Sequence, residues 1–109
     1  FLFDARVFGL MRSDSYLVNI ARGEVVNQED LVHALKSGSI AAAATDVTYP
    51  EPLPEEHPMW QLDNLLITPH TADTKEIVTK LFSDRLRVNV GAWLTDKPLV
   101  GVVDADLGY

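Results

Sequence analysis

Four side chains are separated by type and spacing from the rest of the sequence: Arg22 within Asn19-Ile20-Ala21-Arg22-Gly23, then Asp46, Glu51, and His70 within Thr68-Pro69-His70. A guanidinium presents a planar fork that binds a carboxylate at two points, which lysine cannot match. An imidazole accepts or donates a proton near neutral pH, as interconversion of an alcohol and a carbonyl requires. An arginine, a glutamate and a histidine in one pocket can therefore do acid–base chemistry on a small anion. Each also has a plainer reading. Arg22 could be a surface charge or the partner of Asp46 or Glu51, Asp46 could cap a turn, Glu51 could be solvated, and His70 could be an exposed loop histidine. His33, in a helix, and His57, in a loop, keep that plain reading.

The elements that must position these groups are legible from apolar periodicity. Phe3, Val7, Leu10 and Met11 recur at helical spacing, so the chain is expected to enter inside a helix whose beginning is absent. Residues 16–20 are a short, mostly apolar run that suits a strand buried on both faces, and Gly23 lets the backbone turn after it. Asn27 is a good N-cap, Asp30 stands at the third helical position, Leu31, Ala34 and Leu35 form an apolar stripe, and Gly38 is the stop. Residues 41–47 are alanine-rich and helical by propensity, yet Gly38 and Pro50 leave space for little more than a strand. Pro50, Pro52, Pro54 and Pro58 make a stiff loop without backbone donors at those positions. Residues 65–68 read as another buried strand. Asp73 with Glu76 reads as a capping box for a long helix with apolar positions from Ile77 to Leu94, ended by Asp96-Lys97-Pro98. Trp93 is expected in a core, and Met59 and Trp60 are expected to be packing residues. The tail from Leu99 to Tyr109 has no clear period.

Strands alternating with helices predict an α/β fold with a parallel sheet, in which ligands bind outside the carboxyl ends of strands. Arg22, Asp46 and His70 each follow a predicted strand, which places them along one edge.

Composition narrows the classes. The chain has 109 residues, with Lys+Arg 9 against Asp+Glu 16 and net charge −7, so a phosphate backbone would be repelled and nucleic acid is not an expected partner. The chain has no cysteine, hence neither a disulfide framework nor a thiolate metal site, and no metal site is expected. Apolar runs fall far short of the roughly 18 residues of a membrane span. A cytoplasmic protein without a membrane partner is the expectation. No G-x-G-x-x-G phosphate turn occurs in the 109 residues.

Asn19-Ile20-Ala21-Arg22-Gly23, Asp46 through Glu51 and Thr68-Pro69-His70 together resemble the D-isomer-specific 2-hydroxyacid dehydrogenases, with their N-x-x-R-G, D-x-x-x-x-E and T-P-H segments. Asn27-Gln28-Glu29-Asp30-Leu31-Val32, Glu51-Pro52-Leu53-Pro54 and His57-Pro58-Met59-Trp60 resemble the family's following helix and proline-rich loop. The resemblance runs from Phe1 to about Pro98. It implies the C-terminal half of a Rossmann-like coenzyme domain over residues 1–72. Residues 73–109 would then be a long helix and tail returning to an absent substrate domain. It also implies a complete protein about three times as long, working as a homodimer with NAD or NADP on a small 2-keto or 2-hydroxy acid. By the resemblance Arg22, Glu51 and His70 are catalytic, with Glu51 orienting His70. Ala21, Arg22, Asp46, His70 and Ala72 meet the cofactor, Asp46 beside its nicotinamide end. Asp73 stands where the family commonly has glycine. Two other readings stay open: a dinucleotide-regulated binding protein of the same fold, like the corepressors, and an inactive structural fragment.

Overall fold

Short runs with strong end signals set the architecture. The structure, a computed structural model, describes residues 1–107 and divides into two compact units, Phe1–Ala72 and Asp73–Tyr109.

In the first unit, strands β1 (Tyr16–Asn19), β2 (Ala42–Thr45) and β3 (Leu65–Ile67) form a three-stranded parallel sheet in the order β1-β2-β3. The register pairs Asn19 with Thr45 and Thr45 with Ile67, so all three carboxyl ends lie along one edge. Two helices precede and follow β1. Helix α1 (Ala5–Phe8) is a single turn capped by Asp4, and α2 (Gln28–Ser37) is capped by Asn27, whose side chain accepts from the amides of Glu29 and Asp30. Gly38 closes α2 in the left-handed region at φ 72°, where glycine bears no Cβ penalty.

The core lies between α2 and one face of the sheet, where Leu31, Val32, Ala34 and Leu35 meet Leu17, Ala43, Phe8, Ile40 and Met59. Burial of each of the larger apolar side chains contributes about 1.5–3 kcal/mol. Asn64 fixes the start of β3 by donating to the carbonyls of Leu35 and Ala41 at 3.2 and 3.1 Å.

Two expectations change in this unit. The chain does not enter inside a helix: Phe3 bridges Val26 in extended backbone, and Asp4 caps the short helix that follows. Strand β1 is buried on one face only, with Leu17 and Asn19 inward and Tyr16 and Val18 exposed. A strand apolar on both sides does not reveal which side is covered.

The second unit is built on α3 (Lys75–Leu94). Its cap is Thr74, which accepts from the Ile77 amide, and the expected Asp73–Glu76 box does not form. The two residues are adjacent and both good caps, so local chemistry does not choose between them. Asp96 takes the left-handed position (φ 51°) after the helix, and the Lys97 amide returns to the Ala92 carbonyl, closing the C-terminus. Asn89 holds Val100 at both its amide and carbonyl, so the start of the tail is strapped along α3. The last two residues of the tail lie outside the described residues. No residue of α3 is buried, Trp93 included, contrary to the expectation of a core stripe.

Candidate active site

At the carboxyl edge of the sheet each strand hands over to a turn stabilised by its own side chains. After β1, Asn19 accepts from the Ala21 amide at 3.1 Å and donates to the Arg22 carbonyl at 2.9 Å, wrapping residues 20–22 around a buried amide. Gly23 follows because of space: a Cβ there would overlap the Thr48 backbone and approach the Tyr49 nitrogen to 2.7 Å. The turn carrying Arg22 is thus pressed against the segment leaving β2.

Asp46 is the hub of the edge. It is 5% exposed, and its carboxylate accepts from the Thr68 hydroxyl at 2.5 Å and from the amides of Thr71 and Ala72, both at 2.8 Å. The Thr68 hydroxyl first, then the Ala72 and Thr71 amides and the charge of His70, hold Asp46 below the usual carboxylate range, against the opposing effect of burial. These bonds lock residues 68–72 into a turn in which His70 sits at φ 54°, a conformation uncommon for residues with a Cβ.

That turn presents His70 to Glu51. Nδ1 of His70 lies 2.7 Å from a Glu51 carboxylate oxygen, with the two side chains 40% and 42% exposed. An ionised carboxylate only accepts, so Nδ1 carries the proton toward Glu51 and Nε2 is the nitrogen left to exchange a proton with a ligand. Both residues line a cavity of about 290 Å³ together with Asp46, Thr48, Trp60 and Thr68. Its remaining walls are apolar. A small organic acid with one polar reacting end suits such a lining.

Of the residues singled out in the sequence, Asp46, Glu51 and His70 share this cavity. Arg22 lies on the same sheet edge but is not among its walls, and its guanidinium folds back onto the Ala21 carbonyl at 2.7 Å. The amides of Ala21 and Ala72 are already donated, to Asn19 and Asp46, so any contact they make to a ligand uses their carbonyls or methyl groups. His57 accepts from the Met59 amide and caps a 3-10 turn at Pro58–Gln61, in keeping with its plain reading. Of the two expected packing residues, Met59 is buried and Trp60 is half exposed and walls the cavity. Sequence reasoning missed Asn19 and Thr68 as the groups that shape the turns. The available signal was the preference of Asn and Thr side chains for nearby backbone and carboxylate partners at strand ends. Among the described residues no cluster of His, Asp or Glu could hold a metal ion, and no helix is long and apolar enough to cross a membrane.

Comparison with known proteins bears on this arrangement. The model of the D-isomer specific 2-hydroxyacid dehydrogenase, NAD binding domain, matches residues 1–72. A glyoxylate reductase/hydroxypyruvate reductase of Mus musculus is 48% identical over 83 residues, 72% of this chain and 25% of that protein. A glyoxylate/hydroxypyruvate reductase A of Serratia proteamaculans is 36% identical over 108 residues, 99% of this chain and 34% of that protein. A D-isomer specific 2-hydroxyacid dehydrogenase from Xanthobacter autotrophicus Py2, solved in complex with NADPH and MES, superposes with a TM-score of 0.79 at 34% identity, over 99% of this chain and 44% of that one. The chain thus spans a quarter to about a third of the length of these curated relatives.

Proposed function

The chain belongs to the D-isomer specific 2-hydroxyacid dehydrogenases, and from that premise we propose that it is the C-terminal part of an enzyme passing a hydride between a nicotinamide cofactor and a 2-keto or 2-hydroxy acid. The observation that carries the reading is the 2.7 Å pair of His70 and Glu51 in the wall of a largely apolar cavity. In the reducing direction His70 gives a proton from Nε2 to the carbonyl oxygen while Glu51 keeps the ring in place through Nδ1. Arg22 swings from the Ala21 carbonyl to take the substrate carboxylate at two points. Asp46 acts from behind, holding the turn on which His70 stands.

The residues present fit one end of a dinucleotide. A carboxylate offers about four acceptor sites; Thr68, Thr71 and Ala72 take three on Asp46, which leaves capacity for an amide donor such as that of nicotinamide. Bound there, NAD or NADP would supply or accept the hydride. The sequence contains no G-x-G-x-x-G, the glycine turn that holds pyrophosphate in such folds. On this reading residues 1–72 complete a coenzyme domain and residues 73–109 return toward a substrate domain.

Glyoxylate and hydroxypyruvate are the first substrates to test, from the names of the relatives. Oxidation of NADH or NADPH by the complete enzyme should depend on one of these acids. Tight coenzyme binding without turnover of any 2-keto acid would replace the enzyme by a dinucleotide-regulated binding protein. The same reading places the protein in the cytoplasm as a homodimer; the cysteine-free composition agrees with a reducing compartment, and sedimentation of the complete enzyme tests the dimer.

A further inference from the structure

The Glu51–His70 pair is too exposed to hold itself in register, since ion pairs at such exposure are weak. The backbone around Glu51 offers little help: Pro50, Pro52 and Pro54 have no amide hydrogen with which to join a ladder. Restraint has to come from elsewhere. Downstream, Leu53 and Met59 are buried and the Trp60 indole donates to the Pro54 carbonyl at 2.9 Å. Upstream, the Thr48 hydroxyl donates to the Pro50 carbonyl at 3.1 Å, and Gln28 at the first position of α2 holds Tyr49. Its side-chain oxygen accepts from the Tyr49 amide at 2.8 Å, and its side-chain nitrogen donates to the Tyr49 carbonyl at 2.7 Å. One amide thus satisfies both backbone groups of one residue, as a neighbouring strand would. Gln28 is itself fixed by the Asn27 cap beside it. It is absent from the walls of the Glu51–His70 cavity.

We propose that Gln28 is a positioning residue for proton transfer: by clasping Tyr49 it fixes the chain just ahead of Glu51 and so aims the Glu51 carboxylate at Nδ1 of His70. The inference deepens the function proposed above and rests on it for its kinetic test. Gln28→Leu, whose side chain is one atom shorter, removes both bonds. In the complete enzyme it should lower kcat about tenfold, the scale of one or two net hydrogen bonds, with KM for the keto acid nearly unchanged because Gln28 does not touch substrate. In a Glu51→Gln background the same substitution should lower kcat no further, since Gln28 acts through Glu51; a purely structural role would make the two losses multiply.

A second readout needs no turnover. In the 109-residue chain with nitrogen-15 histidine, Gln28→Leu should move the His70 ring nitrogen signals toward those of Glu51→Gln and leave those of His33 in place. Multiplicative losses, or unmoved His70 signals in a folded variant, would overturn the proposal. If the complete enzyme reduces no 2-keto acid, the function above fails while the nitrogen signals still decide the role of Gln28. Should Gln28→Leu not fold, Gln28→Glu takes its place, because it keeps the acceptor for the Tyr49 amide and sets an oxygen against the Tyr49 carbonyl.

Discussion

His70 stands in a left-handed conformation that costs a residue with a Cβ about 1–3 kcal/mol, and the compensation comes from a carboxylate far away in sequence. Asp46 accepts both amides that follow His70 and the hydroxyl of Thr68, so the strained turn and the buried charge stabilise each other. Because these contacts hold Asp46 below the ordinary carboxylate range, the unfolded state binds more protons between the two values. Its contribution is therefore complete above the ordinary value of about 4 and is lost as pH falls through the lower, folded value. Asp46→Asn, which points a donor where an acceptor is needed, should lower the melting temperature at neutral pH, and the gap to the parent should narrow below about pH 4. A gap that stays constant with pH would mean that the charge of Asp46 does not stabilise the turn. At this scale the sequence exposed the actors and hid their contacts. Glu51 and His70 were identified as a pair through the family resemblance, but nothing local tells that Asp46 reaches forward to Thr68, Thr71 and Ala72. Likewise Arg22 was legible as a candidate, while its present hydrogen bond to Ala21 was not.

Elements were readable wherever a period and an end signal coincide. Asn27, the apolar stripe of α2 and Gly38 define a helix from both ends, and the three strands stand between turn residues. Reading stopped where two signals compete or where burial depends on distant chain. Asp73 and Thr74 are both competent caps, and only the folded backbone selects Thr74. Tyr16 and Val18 look like core and face outward. Asn27→Ala should cost about 1 kcal/mol in urea unfolding, the usual loss of an N-cap; no change would show that Asp30 and the core fix the start of α2 without it. Gly23→Ala should cost more, about 1–3 kcal/mol, because the new methyl meets the backbone of Thr48 and Tyr49, which has no rotamer in which to escape. The glycine looked like a requirement for turning tightly, and the structure makes it a requirement for close approach. An unfolding curve that superposes on the parent would show that the two segments part freely.

For the molecule as a whole, the proposed function gives this chain the proton chemistry and assigns the grip on pyrophosphate to a glycine turn that its sequence does not contain. Calorimetric titration of the 109-residue chain with NAD or NADP should show no measurable binding, since the glycine turn and the helix N-terminus that receive pyrophosphate are not in its sequence. Stoichiometric micromolar binding would relocate the cofactor site. The family match, the shared sheet edge and the His70–Glu51 pair meet in one claim, that His70 is the acid–base group of a 2-keto acid reductase. Its most direct test is kcat of the complete enzyme with His70→Ala, compared with the parent under saturating coenzyme and glyoxylate or hydroxypyruvate. Turnover should fall about 10²- to 10⁴-fold, the scale of a lost general acid, while the variant stays folded and still binds coenzyme. A folded variant that turns over at the parental rate would contradict the claim and move the proton donor to another group.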